Sequence, residues 1–391
     1  MSHKRTGFGC CISYFTSAVT NNFVPLLFFT LSREFSLSIG QLGFIVTLTF
    51  MTQAVIDFFG AGFIPLIGYR KTIFSAHCLV FCGLIFLGIL PYIINPYAGI
   101  LISVAFFATG SGIIEVTVSP ITEALPAKRK SASMNFLHSF YSWGQMAVVI
   151  GSTLYFKLFT THNWRYLPFV WSVLPVVAAV VLAGAPLEKY ETGKISGRDF
   201  RSLLKSRALF PFLVIMLCSG ASELALSQWA SYFAESGLKV SKTMGDILGP
   251  CFFALMMGIS RVLYGIYGKN LDIIKGIMIC SVLCMLSYVV AALSPVAIIS
   301  LMACGLCGFS VGIIWPGTLS LAAHRINSST AVFGILALSG DIGCTAGPTL
   351  ITLVSDKFSL FGDPIKAGVL SCAIFPLVII LTIFHIRKNK I

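Results

Sequence analysis

Twelve long apolar runs, separated by short segments rich in glycine, proline and charge, follow one another along the 391-residue chain. A helix needs about 20 apolar residues to cross the hydrocarbon core of a bilayer, so each run is predicted to be one membrane span. A charged segment, residues 188–207, divides them into two bundles, 1–187 and 208–391. The pattern predicts an all-α integral membrane protein of twelve transmembrane helices in two pseudo-symmetric six-helix bundles. The predicted spans are 9–33, 41–67, 72–94, 97–125, 131–158, 165–186, 209–236, 243–267, 272–293, 296–322, 328–354 and 365–386.

The two bundles carry an internal repeat. A shift of 196 residues superposes the fourth and fifth spans on the tenth and eleventh: Pro120 falls on Pro316, Gly144 on Gly340, and Gln145 on Asp341. Internal repeats are how many carriers build alternating access, with the solute bound at mid-membrane between the halves. The repeat therefore favours a transporter over a channel or a membrane enzyme.

Composition supports the membrane prediction and explains the charge. Hydrophobic residues are 57% of the chain and charged residues 10%, against about 25% charged in soluble proteins. Of the 27 Lys and Arg residues, 19 lie at the N-terminus, at the C-terminus or in alternate loops, seven lie in the opposite loops, and Arg261 lies in a span. By the positive-inside rule both termini are expected in the cytoplasm of a plasma-membrane protein. The net charge of +13 thus needs no nucleic acid.

Other features exclude further classes of function. Most of the twelve cysteines lie in apolar spans, where cysteine behaves as a small hydrophobe. Cys304 and Cys307 have C-x-x-C spacing, but they lie on an apolar helix, so we do not expect them to bind a metal. The first apolar run lacks a small-residue cleavage site, so it is expected to be a span rather than a cleaved signal. Nothing resembles a Walker motif. We expect no enzyme activity, no cofactor and no metal.

Ionisable and amide side chains inside the spans are the candidate site, because such groups are costly in hydrocarbon unless they face a cavity or a partner. Glu115 lies about ten residues from the cytoplasmic end of the fourth span, close to mid-membrane. Its helix face carries small and polar residues, typical of a cavity: Gly112, Ser119 and Thr122. A structural carboxylate bonded to a neighbouring helix is the alternative.

The fifth span has a polar stripe at helical spacing, formed by Asn135, His138, Ser142 and Gln145. Amide and imidazole groups supply both hydrogen-bond donors and acceptors, which suits a hydroxyl-rich ligand. His138 is a candidate for proton relay because imidazole titrates near neutral pH; simple hydrogen bonding is the alternative.

The seventh span repeats the pattern with a spacing-four row that contains Glu223, and Trp229 lies beside that row. Asp341 in the eleventh span occupies the position equivalent to Gln145, so pseudo-symmetry predicts that both lie beside a central cavity. In the second span, Asp57 continues a spacing-four row; in the first, Asn22 adjoins Asn21. The row that contains Glu223 is Ser219, Glu223, Ser227 and Ser231, and the row that contains Asp57 is Thr49, Gln53 and Asp57.

Basic residues at the cytoplasmic rim are candidates for gating. Arg261 lies seven residues before Gly268, near the cytoplasmic end of the eighth span, where it is expected to form a gate or a structural salt bridge. Arg70, Arg129 and Arg325 follow the second, fourth and tenth spans and are predicted to stabilise closed states.

Two segments carry a family resemblance. Residues 63–71, FIPLIGYRK, resemble the loop between the second and third helices of the major facilitator superfamily, although Pro65 stands where an Asp is typical. The fourth and fifth spans resemble the fucose–galactose–glucose permease group over about 35 residues. The matching segments are GSGIIEVTVSP (110–120) and MNFLHSFYSWG (134–144), in which His138 stands where that group has a Gln.

The resemblance implies a sugar carrier in which Glu115 serves sugar binding and proton coupling and Asn135 contacts sugar. That group's first-helix Asp has no counterpart here, since no carboxylate precedes Glu34. Coupling is then expected at Glu115, Asp57 or Glu223, with H⁺ or Na⁺ as the ion. The prediction is a monomeric secondary carrier of a small polar solute, a sugar, taken up with protons; proton-driven efflux of drugs or metabolites is the alternative.

Overall fold

The computed structural model describes residues 2–126, 130–185, 187, 208–267, 272–325 and 330–389. Apart from one isolated bridge between Leu360 and Asp363, the described residues form helices and their connections, which confirms the predicted all-α class. The first half contains α1 (Ser2–Leu26), α2 (Phe28–Phe35), α3 (Ile39–Ile67), α4 (Tyr69–Ile89), α5 (Pro96–Ala124), α6 (Lys130–Phe159), α7 (Leu167–Trp171) and α8 (Val173–Ala183). The second half contains α9 (Phe210–Tyr232), α10 (Lys242–Asp246), α11 (Phe252–Tyr267), α12 (Ile273–Leu293), α13 (Ala297–Arg325), α14 (Thr330–Ser355), α15 (Pro364–Ser371) and α16 (Ile374–Asn389).

Several helices begin and end at residues that satisfy free backbone groups. The Ser38 hydroxyl accepts from the Gln41 backbone N–H and the Gln41 side chain accepts from that of Ser38, a reciprocal capping box at the start of α3. Asn95 caps α5 in front of Pro96. Gly68 joins α3 to α4 with a φ of 90°, which favours glycine.

Two spans that the sequence predicts as continuous are each broken by proline. The sixth is interrupted at Ser172 and the twelfth at Cys372–Ala373, and the helix that follows has Pro175 or Pro376 at its third residue. Proline lacks the N–H that would bond four residues back, and its ring clashes with that carbonyl. The same break in both halves is a further sign of the repeat.

Ten of the twelve predicted spans meet a length and hydropathy criterion for membrane crossing within the described residues. The other two correspond to α1 and α6, which have 25 and 30 residues and are therefore long enough. Their serine, threonine, asparagine, histidine and glutamine side chains lower the mean hydropathy. The two helices that miss the criterion are thus the most polar of the long helices.

The chain divides into two compact units, residues 1–192 and 193–391. The division falls inside the predicted linker 188–207, which lies outside the described residues. In the N-terminal unit, α1 packs against α5, α6 and α8, and α5 against α3 and α4. In the C-terminal unit, α9 packs against α13, α14 and α16, and α13 against α11 and α12. The two units therefore share one packing pattern, as the repeat predicts.

Glycines permit the closest helix contacts in both units. A Cβ on Gly144 of α6 would lie 2.6 Å from the Phe15 carbonyl oxygen of α1, and a Cβ on Gly343 of α14 would overlap the Leu217 carbonyl oxygen of α9. Small residues at such interfaces let helix backbones approach in a membrane. The Gly144 contact holds α1 against the polar stripe of α6.

Candidate functional site

An amide pair joins α1 to α3 in the N-terminal unit. The Gln53 Nε2 donates to Asn21 Oδ1 at 2.7 Å, and the Asn21 Nδ2 donates back to Gln53 Oε1 at 3.3 Å. Asn21 also donates to the Tyr141 hydroxyl of α6 at 3.4 Å. Asn21 and Gln53 are buried, so the pair fixes a polar group between three helices.

A second set of contacts joins α1, α5 and α6. The Tyr14 hydroxyl lies 3.2 Å from Glu115 Oε1 and 3.0 Å from His138 Nδ1. The Tyr14 ring packs edge-on against both the His138 ring and the Tyr141 ring, with centroids 5.1 and 5.9 Å apart. The ring contact with Tyr141 links this set to the amide pair.

Six side chains form one polar network, which we call the N-terminal network: Tyr14, Asn21, Gln53, Glu115, His138 and Tyr141. It brings together two residues named by the sequence as binding candidates, Glu115 and His138. Tyr14 was missed, although it lies three and seven residues before Ser17 and Asn21 and so shares their helix face. The network offers amide, phenol, imidazole and carboxyl groups, which suits recognition of a hydroxyl-rich solute.

The other candidates of the N-terminal unit differ in position. Gln145 is buried on the α6 stripe. Asn22 is also buried, and its amide donates to the Ala18 carbonyl of its own helix at 2.8 Å. Asp57 is half-buried one turn beyond Gln53. The side chain of Asn135 lies outside the described residues.

In the C-terminal unit, Arg261 of α11 pairs with Glu223 of α9. Its Nη2 lies 3.1 and 3.2 Å from the two carboxylate oxygens, and the side chains are 27% and 11% exposed. The structure thus favours the salt bridge expected for Arg261 and gives Glu223 a fixed positive partner. Trp229 is fully buried on the same helix, and Asp341 of α14 is half-buried.

A buried charge cluster, which we call the Lys242 cluster, lies at the C-terminal end of α9. The Lys242 ammonium lies 3.1 Å from Glu235 and 2.9 Å from Asp246, and the Ser231 hydroxyl donates to Asp246 at 2.5 Å. Two five-residue π-helical segments, Phe233–Gly237 and Ile247–Cys251, adjoin it. The sequence analysis missed this cluster, although Glu235 continues the spacing-four row that ends at Ser231.

Of the other predicted gating residues, Arg70 and Arg325 lie in different environments. Arg70 donates to the Ala183 and Ala185 carbonyl oxygens at 2.9 and 2.7 Å, closing the end of α8 within its own unit. Arg325 lines a cavity of about 320 Å³ at the end of α13 together with Asp272 and Arg387. Arg129 lies outside the described residues.

Glu34, the first carboxylate of the chain, connects helices through hydrogen bonds. It accepts from Trp164 Nε1 at 2.6 Å and from the Tyr92 hydroxyl at 2.8 Å, and Trp164 is fully buried. These bonds tie α2 to the segments that follow α4 and α6. Over the described ranges, no three His, Cys, Asp or Glu side chains are grouped so as to hold a metal ion.

The family model of the Major Facilitator Superfamily matches residues 7–348. The chain belongs to this superfamily. Major facilitator proteins are transporters, so this is a multi-pass membrane transporter rather than an enzyme, and the fold implied by the sequence resemblance is confirmed. No curated protein sequence matches the chain.

Solved major facilitator structures share the fold over nearly the whole chain at low identity. The fucose:proton symporter FucP of E. coli has a TM-score of 0.68 at 16% identity, with 98% of this chain and 99% of that chain covered. A D-xylose–proton symporter has a TM-score of 0.77 at 13% identity, with coverage of 99% and 96%. The nucleoside transporter NupG has a TM-score of 0.77 at 11% identity, with coverage of 97% and 99%. Identities this low establish the fold alone.

Proposed function

We propose that this transporter takes up a small polar solute, a sugar, together with protons by alternating access. The observation that carries the proposal is the N-terminal network, in which a chain of contacts connects an amide pair, two phenols, an imidazole and one carboxyl group. Sugars present many hydroxyl groups that both donate and accept, and such a mixture of groups can bind them. Two of the structures that share the fold are sugar–proton symporters by name, which agrees with this class of solute.

Glu115 is the proposed site of the coupling proton. Moving a charged carboxylate through a closed, dry state costs far more than moving the neutral acid, so protonation at Glu115 would favour the reorientation of the loaded carrier. Gln145, Asn135, Asn22, Trp229 and Asp341 are kept as further candidate solute contacts. Both termini are proposed to face the cytoplasm of a plasma membrane, from the distribution of Lys and Arg residues.

Uptake by proteoliposomes tests the proposal. Purified protein is assayed with labelled hexoses, with and without an inward proton gradient, and Glu115→Gln is compared with Glu223→Gln, which removes another candidate coupling carboxyl. We expect gradient-stimulated hexose uptake in the wild type. In Glu115→Gln, the gradient should no longer stimulate uptake, while exchange of hexose for hexose at equal pH persists, since exchange needs no net proton movement.

Two outcomes contradict the proposal. If no hexose is taken up and lipophilic cations are expelled, the carrier is an efflux protein. If hexose uptake is the same with and without the proton gradient in the wild type, the carrier is not a proton symporter, and replacement of external Na⁺ then shows whether Na⁺ is the coupling ion.

A further inference from the structure

The Tyr14 hydroxyl lies between the two titratable groups of the N-terminal network. It is 3.2 Å from Glu115 Oε1 and 3.0 Å from His138 Nδ1, and both distances are within hydrogen-bond range. The three groups come from three helices, α1, α5 and α6. Tyr14 is 4% exposed, whereas His138 is exposed and Glu115 is half-buried.

The two contacts require a proton on one of the flanking groups. A phenol has one hydrogen, so it can donate to only one of its two neighbours, and the other must donate to the phenol oxygen. In one arrangement His138 Nδ1–H donates to Tyr14 and Tyr14 donates to Glu115. In the other, a protonated Glu115 donates to Tyr14 and Tyr14 donates to His138.

We propose that Glu115, Tyr14 and His138 form one proton-sharing unit, in which Tyr14 passes the coupling proton between the carboxyl and the imidazole. The step breaks the His138 Nδ1–H bond and forms a bond from that proton to the Tyr14 oxygen. At the same time the Tyr14 O–H bond breaks and its proton binds Glu115 Oε1. An imidazolium and a carboxylate become a neutral imidazole and a neutral carboxyl, and the net charge of the unit does not change.

The different exposures of His138 and Glu115 suggest the direction in which the proton moves through the unit. His138 is exposed, and Tyr14 connects it to a carboxyl that is half-buried, so the contacts run from the more exposed titratable group to the less exposed one. The transfer also removes both charges from the site without leaving an ion behind. Tyr14 is therefore a coupling residue, and it acts by connecting the two titratable groups.

Other titratable groups surround α5 in this unit. His77 of α4 is buried, and its Nε2 lies 3.0 Å from the Ser13 hydroxyl of α1. Cys10 and Cys11 of α1 are buried. Asp57 of α3 is half-buried and adjoins Ile56, which faces Gly112 one turn before Glu115. Of these groups, Asp57 is tested together with Tyr141 as an alternative to the role of Tyr14.

The test follows the protonated-carboxyl band in infrared difference spectra of the purified full chain during a pH titration. Absence of the band in Glu115→Gln assigns it. Groups that share a proton titrate as a coupled pair. We therefore expect His138→Gln to move the midpoint of the Glu115 band by about one pH unit or more. In the Tyr14→Phe background, the same His138→Gln substitution should leave the midpoint in place.

Tyr141→Phe is the matched control, because it removes a phenol hydroxyl of the same network that bonds Asn21. In that background His138→Gln should still move the midpoint. The proposal is overturned if His138→Gln has no effect in the wild type, or if its effect survives in Tyr14→Phe. It is also overturned if Asp57→Asn, and not His138→Gln, moves the band.

The inference deepens the proposed symport and rests on it for its role in transport. The titration needs no solute, so the two can fail separately. If hexose uptake is absent but the coupled titration holds, the symport proposal fails and proton sharing stands. If uptake depends on the gradient but the titration shows no coupling, the symport stands and this inference fails.

Discussion

Replacement of Lys242 by methionine tests whether the Lys242 cluster stabilises the C-terminal unit. In formal charges, Glu235 and Asp246 with Lys242 sum to −1, and Lys242→Met leaves −2. The exposed fractions are 12% for Lys242, 8% for Glu235 and 0% for Asp246, so water screens the two carboxylates little. Removal of one partner from a buried ion pair costs about 3–5 kcal/mol, and we take about 3 kcal/mol because Lys242 is slightly exposed. At about 2–4 °C per kcal/mol for a unit of this size, the melting temperature should fall by about 6–12 °C.

Thermal unfolding can be followed with a thiol-reactive fluorophore, because the eight cysteines of the C-terminal unit are all buried in the folded state. Lys239→Met, an exposed lysine in the same connection, is the control and should melt with the wild type. Lys242→Met combined with Asp246→Asn restores the charge of −1 and keeps an oxygen for Ser231, so it should recover part of the loss. A melting temperature of Lys242→Met equal to that of the Lys239 control, or a double variant no better than the single, would refute the reasoning.

Two further predictions concern helix packing and the second ion pair. Gly343→Ala places a methyl group on the Leu217 carbonyl and should destabilise α9–α14 packing by about 1–3 kcal/mol. A Cβ on Gly258 would have no neighbouring atom within 4 Å, so Gly258→Ala should be neutral or slightly stabilising in the same melting assay. Arg261→Glu and Glu223→Arg should each lower the free energy of unfolding by about 1–3 kcal/mol, because the pair is partly exposed, and should lower the melting temperature accordingly. The double exchange should recover most of that loss, and additive losses would show that the two side chains are not coupled.

The spans and the repeat could be predicted from the sequence because both depend only on residue type and spacing. Pro120 and Pro316, or Gly144 and Gly340, can be matched by arithmetic alone. The helix face of Glu115 and the stripe that contains His138 could also be read from periodicity. Periodicity within one helix does not show which helix faces pack against each other. The contacts of Tyr14 with Glu115 and His138 therefore could not be predicted from the sequence.

The Lys242 cluster shows a second reason for incomplete prediction. Its residues come in two pairs at spacing four, Ser231 with Glu235 and Lys242 with Asp246, and both pairs are visible in the sequence. The chain reverses direction between them, and π-helical segments shift the register beside the cluster. Neither the reversal nor the shift has a residue pattern that fixes the final geometry.

The surroundings of Glu115 and Glu223 bear on which of them we propose as the carrier of the coupling proton. Glu223 faces the guanidinium of Arg261, which stays charged at all relevant pH values, so protonation of Glu223 would leave a positive charge without its partner. Glu115 has neutral or titratable neighbours instead, Tyr14 and His138, and can gain a proton without stranding a fixed charge. A carrier that must cross a dry state with its proton bound is better served by the second arrangement. This contrast, together with the position of Tyr14, is why we assign the proton to the N-terminal unit and a structural ion pair to the C-terminal unit.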